Sequence, residues 1–454
     1  MELRPYQSAA LLKITQSYKR GSRAPLFVLP TGGGKTIIIT ALAAELRKLG
    51  KRVLILVHRQ ELIRQTSDKL CKAGQRHGII WGKAPVSRDQ VQVASVQTLR
   101  RRTHLYEHFD FIIIDEAHHA PASTYQYICK QYSKALLLGV TATPERTDGT
   151  GLNTVFDDLV LGPTIGDLQS HGYLVKTRVY APPLEYSVGG LPRRGGDFVR
   201  ELLALEVDRP SITGSALSQY QKHCNGKKGI AFCVSVDHAR HVASQFDICG
   251  IRAEAIDGGM PDAQRQRALD DFAAGRTLIL TSCDLVSEGF DVPDAGVAIL
   301  LRPTESRGLH RQQIGRILRP AAGKSFGYIL DHAGNCFRHG LPDYEPEWSL
   351  EGRAKRGAAE ESAPPPTKTC PRCFSVFGPR PVCPDCGHVF ARKEREIDRN
   401  EGELELVTDE VAEIFNQYQN EKERAIKELT KSAERKGLRY PALWAEHIYK
   451  ARHE

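Results

Sequence analysis

The segment Pro30-Thr31-Gly32-Gly33-Gly34-Lys35-Thr36 joins a short apolar run, LFVL at 26 to 29, to the apolar, Ala-rich stretch IIITALAAEL. Three consecutive glycines let backbone N–H groups close around phosphate oxygens with no Cβ in the way, and a helix N-terminus behind them adds partial positive charge. Thr31, Gly32, Gly33, Gly34, Lys35 and Thr36 are therefore the expected cradle for the phosphates of a nucleotide. Lys35 would reach the β- and γ-phosphates, and the Thr36 hydroxyl would bind Mg²⁺. The strict pattern GxxxxGK followed by Ser or Thr calls for Gly where this chain has Leu29.

Three further constellations could do chemistry. Asp115-Glu116-Ala117-His118 ends the apolar run FDFIIID at 109 to 115. In such an acid pair Asp115 can hold Mg²⁺ through water while Glu116 polarises an attacking water. Gln312-Gln313-Ile314-Gly315-Arg316-Ile317-Leu318-Arg319 reads as helix, and at helical spacing Gln312, Arg316 and Arg319 share one face and converge on one target. Two guanidiniums facing a γ-phosphate neutralise charge in the transition state, an effect on the order of 10³ to 10⁵ in rate. Finally, Cys370-Pro371-Arg372-Cys373 and Cys383-Pro384-Asp385-Cys386 are two CxxC pairs nine residues apart. Paired turns of this kind present four thiolates to one structural, tetrahedral Zn²⁺, leaving no open position for catalysis; disulfides are the alternative.

Elements that could position these groups recur along the chain. Apolar runs at 26–29, 52–58, 91–96, 109–115 and 135–143 alternate with helical stretches, and a second series follows at 229–235, 276–282, 296–301 and 326–330. Repeated strand and helix alternation predicts parallel sheets, in which chemistry collects at the carboxyl ends of strands. The Pro- and Gly-rich stretch after residue 181 predicts a connector, placing one domain at 1–180 and another at 181–350. The second domain has no phosphate loop of its own, so its arginines must be presented to the first domain's nucleotide. Residues 351–369 are charged and Pro-rich, which predicts a flexible linker; a small zinc ribbon at 370–392 and a helical tail at 400–454 complete the plan.

With these residues in place, the chain resembles the superfamily 2 helicases and translocases, of the type carrying a DEAH acid pair. Leu3-Arg4-Pro5-Tyr6-Gln7 resembles the adenine-reading segment, which implies cofactor contacts from Arg4 and Gln7. His58-Arg59 and Ser95-Val96-Gln97-Thr98 resemble segments that touch a nucleic-acid backbone, implicating His58, Arg59, Ser95, Gln97 and Thr98; a helix cap or surface turn is the alternative. Thr141-Ala142-Thr143 is similar to the segment coupling hydrolysis to domain movement, so Thr141 and Thr143, with His118, are implied coupling residues. In the second half, Ser235, Thr281 and Ser282 are implied nucleic-acid contacts, and Gly289 and Asp291 implied nucleotide contacts. QxxGRxxR is the superfamily's arginine-finger motif, matched at every specified position. The resemblance implies two tandem RecA-like domains, ATP and Mg²⁺ as cofactors, and hydrolysis coupled to movement on nucleic acid.

The zinc ribbon and the Trp444-Ala445 tail are similar to those of the bacterial and phage RadD-like DNA helicases, which implies DNA over RNA and roles in repair, recombination or replication. An RNA helicase, a double-strand translocase that does not separate strands, and an ATP-switched adaptor acting through the ribbon are the alternatives; a protein partner would use the ribbon or tail. Composition fits without deciding. The net charge is +9, and residues 351–454 hold 19 Lys+Arg and 19 Asp+Glu, so the whole excess lies in 1–350, where a polyanion would bind. No run of 18 apolar residues occurs and the N-terminus lacks an apolar core, which predicts a cytoplasmic protein with no membrane contact. Seven of the eleven cysteines stand singly, mostly in apolar surroundings that suit reduced thiols. In the ribbon, Phe374, Phe377 and Phe390 with Arg372, Arg380 and Arg392 form either a nucleic-acid surface or simply its packing.

Overall fold

The computed structural model describes residues 2–146, 148–183, 188–283, 292–352, 364–391 and 409–435, with six further positions between 441 and 449. The chain divides into two compact units, Met1–Ala391 and Arg392–Glu454. Of the second unit the structure describes the helix Asp409–Arg435, within the predicted helical tail. No described helix is long and apolar enough to cross a membrane.

The first domain is built on seven strands: β1 (Pro25–Val28), β2 (Val53–Val57), β3 (Gly78–Ile80), β4 (Val91–Ser95), β5 (Phe111–Asp115), β6 (Leu136–Thr141) and β7 (Asp158–Leu161). They form one sheet in the order β3-β4-β2-β5-β6-β1-β7. Every pairing is parallel. Because crossover helices cover both faces of a parallel sheet, its strands are apolar throughout rather than alternating. Thus β2 is buried at all five residues: Leu54 and Leu56 enter one core, Val53, Ile55 and Val57 the other.

The second domain repeats the plan with β8 (Lys176–Tyr180), the short hairpin β9 (Arg193–Arg194) and β10 (Asp197–Phe198), then β11 (Gly229–Phe232), β12 (Ala253–Ile256), β13 (Ile279–Ser282), β14 (Val297–Leu300) and β15 (Phe326–Asp331). Two further strands, β16 (Lys368–Thr369) and β17 (Ser375–Phe377), come from the cysteine-rich segment. The sheet order is β12-β13-β11-β14-β15-β8-β17-β16.

Two sequence expectations need correction. The boundary at 180 falls too late, since β8 pairs with β15 along Lys176–Tyr180 and belongs to the second sheet. Its sequence, KTRVY, is half exposed and has no apolar run to mark it; backbone pairing decides its place. Nor is the cysteine-rich ribbon a separate module. Its strand β17 pairs antiparallel with β8, Ser375 opposite Tyr180 and Val376 opposite Val179, and Ala181 N donates to the Phe374 carbonyl at 2.9 Å. An Arg178–Asp385 ion pair at 3.5 Å adds a side-chain contact. An unpaired edge strand invites such augmentation, and the ribbon caps it. Most of the predicted linker, 353–363, lies outside the described residues.

Candidate active site

The groups that could do chemistry sit where the strands end. After β1 the chain turns through Gly32 and Gly34, both at φ +87°, before the helix Lys35–Lys48 begins. That left-handed conformation strains any residue with a Cβ, so both positions require glycine. Gly33 is required for a different reason. A Cβ there would lie 2.9 Å from the Leu29 side chain, which is fully buried beneath the loop at the position where the strict pattern has glycine.

At the end of β5, Asp115 and Glu116 are both buried, and Glu116 has φ 49° and ψ 56°, a left-handed backbone uncommon for a residue with a side chain. Such strain persists where surroundings over-determine it and clusters at functional sites. Glu116 Oε1 lies 3.7 Å from Lys35 Nζ, and its Oε2 lies 3.6 Å from His118 Nδ1. Burial and the adjacent Glu116 carboxylate push Asp115 up to about 6. Two crowded carboxylates out of water favour a bound cation, and this donor set, with Thr36 on the facing loop, fits Mg²⁺.

The second domain closes over this loop. A cavity of about 260 Å³ between the domains is lined by Thr31, Gly32, Gly34, Lys35 and Thr36 from the phosphate loop and by Asp115 and Glu116. Arg316 and Arg319 line it from the opposite domain. Contact is direct: a Cβ added to Gly315 would lie 2.3 Å from the Thr31 Cβ. The helix that carries the arginines is shorter than predicted, Arg307–Gly315, with Arg316 at its C-cap and Arg319 beyond it. The three residues therefore do not share a helix face. Gln312 instead lines a second interdomain cavity of about 740 Å³ together with Arg59, His118 and Thr143.

Between the two cavities runs a polar relay. His118 Nδ1 is 3.3 Å from Thr141 Oγ1, which donates to the Thr143 carbonyl at 2.9 Å and accepts from Thr143 N at 3.2 Å. Thr143 Oγ1 in turn faces Gly308 of the second domain, where an added Cβ would stand 3.1 Å away. His118, Thr141 and Thr143 thus connect Glu116 to the helix Arg307–Gly315, whose C-cap is Arg316.

Other expected contacts are placed differently. Gln7 is buried; its Oε1 accepts from Arg4 N at 3.0 Å, and its Nε2 is the nearest atom to a Cβ built on Gly34. It braces the loop from behind, whereas Arg4 lines the nucleotide cavity, its guanidinium 4.9 Å from the centre of the Tyr173 ring. Thr281 and Ser282 are buried in the second domain, with Thr281 Oγ1 donating to the Ala239 carbonyl at 2.7 Å, so neither presents its hydroxyl at the surface. Ser95 and Ser235 are helix N-caps, accepting from Thr98 N and His238 N. Gln97 is exposed and Thr98 half-buried, while the His58 ring lies tilted against His119, with ring centres 4.3 Å apart. Gly289 and Asp291 lie outside the described residues.

The sequence reading missed Leu62, Gln65, Lys69 and Tyr173, all of which line the nucleotide cavity. Burial and the facing Arg319 lower Lys69 to about 8. The spacing of 62, 65 and 69 on the helix Gln60–Lys72 marks one face, but nothing in it says what that face meets.

In the ribbon, Cys370, Cys373, Cys383 and Cys386 bring their Sγ atoms within 4.8 Å of one another. The pairs Cys370–Cys386 and Cys373–Cys383 stand 3.5 and 3.7 Å apart. Tetrahedral Zn²⁺ with bonds of about 2.3 Å has edges of about 3.8 Å, whereas a disulfide needs about 2.05 Å. The donor set fits zinc. Two of the aromatic residues pack this small domain: Phe377 is buried, in edge contact with Phe390 at 6.0 Å.

A phosphate loop on one parallel sheet, faced by arginines from a second, defines a P-loop protein of two tandem RecA-like domains. Residues 1–146 match the family model described as "Type III restriction enzyme, res subunit", and residues 214–321 match "Helicase conserved C-terminal domain". A 51.5 kDa protein of a Lactococcus phage is 34% identical over 85% of this chain and 82% of its own length. A Saccharomyces cerevisiae protein named "Putative ATP-dependent helicase IRC3" is 31% identical over 73% of this chain, which spans 51% of that longer protein. Among solved structures, the Type ISP restriction-modification enzyme LlaBIII bound to DNA superposes with a TM-score of 0.54 at 19% identity, covering 73% of this chain and 28% of its own. The chain belongs to the ATP-hydrolysing helicases of superfamily 2.

Proposed function

We propose that the chain couples Mg²⁺·ATP hydrolysis to movement on DNA, as a helicase or translocase. The observation that carries this reading is the cavity of about 260 Å³, in which the phosphate loop and the acid pair of one domain meet Arg316 and Arg319 of the other. In this reading Thr31, Gly32, Gly33, Gly34 and Lys35 cradle the phosphates, and Thr36 and Asp115 hold Mg²⁺, which neutralises phosphate charge when bound. Glu116 orients the attacking water, while Arg4 and Tyr173 flank the base. Arg316 and Arg319 act on charge that develops in the transition state. Closure therefore completes the site, and reopening after hydrolysis moves the domains apart, a change the His118–Thr141–Thr143 relay would feel.

Nucleic acid would lie across the exposed carboxyl ends of both sheets, near His58, Arg59, Gln97, Thr98 and Ser235. The restriction-enzyme family model, and sequence relatives named as a DNA 3'-5' helicase and a DNA 3'-5' translocase, favour DNA over RNA. The four-cysteine ribbon holds structural Zn²⁺, and with the tail it supports placement among the RadD-like helicases, with a role in DNA repair, recombination or replication. A cytoplasmic location belongs to the same reading.

The decisive measurement is ATP turnover with single-stranded DNA, duplex DNA and RNA. We expect DNA to stimulate turnover, Lys35→Ala to abolish nucleotide binding, and Glu116→Gln to bind ATP yet turn over at least about 10²-fold more slowly, having lost only water activation. Parental turnover by Glu116→Gln would refute the assignment of the acid pair. Stimulation by RNA alone would select the RNA-helicase alternative.

A further inference from the structure

The chain passes from the first RecA-like domain to the second before β8, and it comes back to the first after the helix Asn335–His339. Beyond the helix Asn335–His339, the segment 341–352 returns to the first domain. There the Leu350 carbonyl accepts from Leu152 N at 2.6 Å and Asn153 N at 3.0 Å, and Thr150 and Gly352 form an antiparallel bridge. Trp348 and Leu350 pack against the first-domain core that contains Leu152 and Phe156. No side chain fits at the crossing. A Cβ on Gly151 would stand 2.0 Å from the Leu350 carbonyl oxygen, and one on Gly352 would stand 2.4 Å from that of Gly149.

The same segment grips the helix Arg307–Gly315 of the second domain. Arg311 Nη1 donates to both Glu345 carboxylate oxygens, at 3.2 and 3.1 Å, and its Nη2 donates to the Tyr344 carbonyl. Trp348 Nε1 donates to Glu345 Oε1. The guanidinium carbons of Arg311 and Arg307 lie 5.3 and 5.7 Å from the centre of the Trp348 ring. With the Arg311 side chain only 9% exposed, its charge depends on this ion pair and on the ring face. One aromatic side chain therefore packs on the first domain's core while lying beside cations of the second. Arg311 stands five residues before Arg316, the C-cap of the same helix, which lines the phosphate cavity.

We propose that residues 344–352 form an interdomain strap, and that Arg311 and Trp348 are positioning residues holding Arg316 against the phosphate loop before nucleotide arrives. The strap limits opening and shortens the return to the closed state. Its effect on turnover rests on the function proposed above; its effect on domain separation does not.

The test uses the full-length chain with one fluorophore on each domain, attached through click-reactive residues at exposed positions 48 and 248. Without nucleotide, Trp348→Ala should broaden and lengthen the interdomain distance distribution. Its kcat at saturating DNA should fall about tenfold, with the KM for ATP within about twofold, because a misplaced arginine costs transition-state stabilisation rather than binding. Trp348→Phe, which keeps an aromatic face but loses the pyrrole half of the indole and its N–H donor, should recover part of the rate. If Trp348→Ala fails to fold, Glu345→Gln leaves the apolar anchors in place and should shift the same distribution in the same direction. Parental distance distributions in both variants would overturn the proposal. An ATPase-negative parent with a broadened Trp348→Ala distribution would instead overturn the motor reading and keep the strap.

Discussion

Gly315→Ala tests whether closure of the cleft, rather than the mere presence of the arginines, sets the rate. Gly315 ends the helix Arg307–Gly315, and its φ is not positive, so alanine suits the backbone and should favour the helix by about 0.5–1 kcal/mol. The added Cβ, however, would lie 2.3 Å from the Thr31 Cβ and 2.7 Å from its Cγ2. Carbon atoms pack at about 3.5–4.0 Å, so the two domains must separate by about 1.2 Å or more. Such overpacking costs about 1–3 kcal/mol. Because Thr31 and Gly315 belong to different domains, that cost falls on the closed state and not on either fold. At about 1.4 kcal/mol per decade it depopulates the closed state roughly 5- to 150-fold. We expect kcat at saturating DNA to fall by that factor, with ATP affinity retained and the melting temperature unchanged or raised. Gly308→Ala is the milder control, since its Cβ would stand 3.1 Å from Thr143 Oγ1, a contact that a few tenths of an ångström relieves. Steady-state ATPase assays, fluorescent-nucleotide titration and thermal melts together make the measurement. Parental kcat in Gly315→Ala would refute the reasoning, as would a loss of rate that merely tracks a loss of stability.

Arg316→Ala and Arg319→Ala should each lower DNA-stimulated kcat by about 10³-fold or more while changing ATP affinity far less; lost nucleotide binding with parental kcat at saturation would make them ground-state clamps. Cys383→Ser with Cys386→Ser should release one Zn²⁺ per chain and, because β17 pairs with β8, raise hydrogen exchange along Lys176–Tyr180; protection there equal to the parent's would show that the ribbon is dispensable to the second sheet. Burial holds His332 neutral down to about 4, so the unfolded chain binds the extra proton between about pH 6.5 and 4. Stability should therefore fall as the pH drops through that window, by roughly 3 kcal/mol from this group. Denaturant titrations of His332→Asn should show a shallower decline, and an identical decline would assign the acid sensitivity elsewhere.

The sequence by itself determined whatever depends on local chemistry. Gly32 and Gly34 announce a loop only glycine can follow, and the acid pair Asp115-Glu116 closes an apolar run that could only be a buried strand. The paired spacing of four cysteines predicts a tetrahedral thiolate site with disulfides as the alternative, and the Sγ separations favour the former. Only the tertiary structure decided which groups meet. The strand β8 has too little apolar character to declare its sheet, and it joins the second domain because β15 offers it an edge. The ribbon's attachment is likewise invisible in sequence, since it rests on backbone hydrogen bonds that any residues can make. Gln312 and Arg316 look like neighbours on one face until the helix ends at Gly315 and sends them to different cavities. Lys69 and Trp348 carry no motif at all; burial against a partner domain gives each its place, and burial is a property of the folded chain.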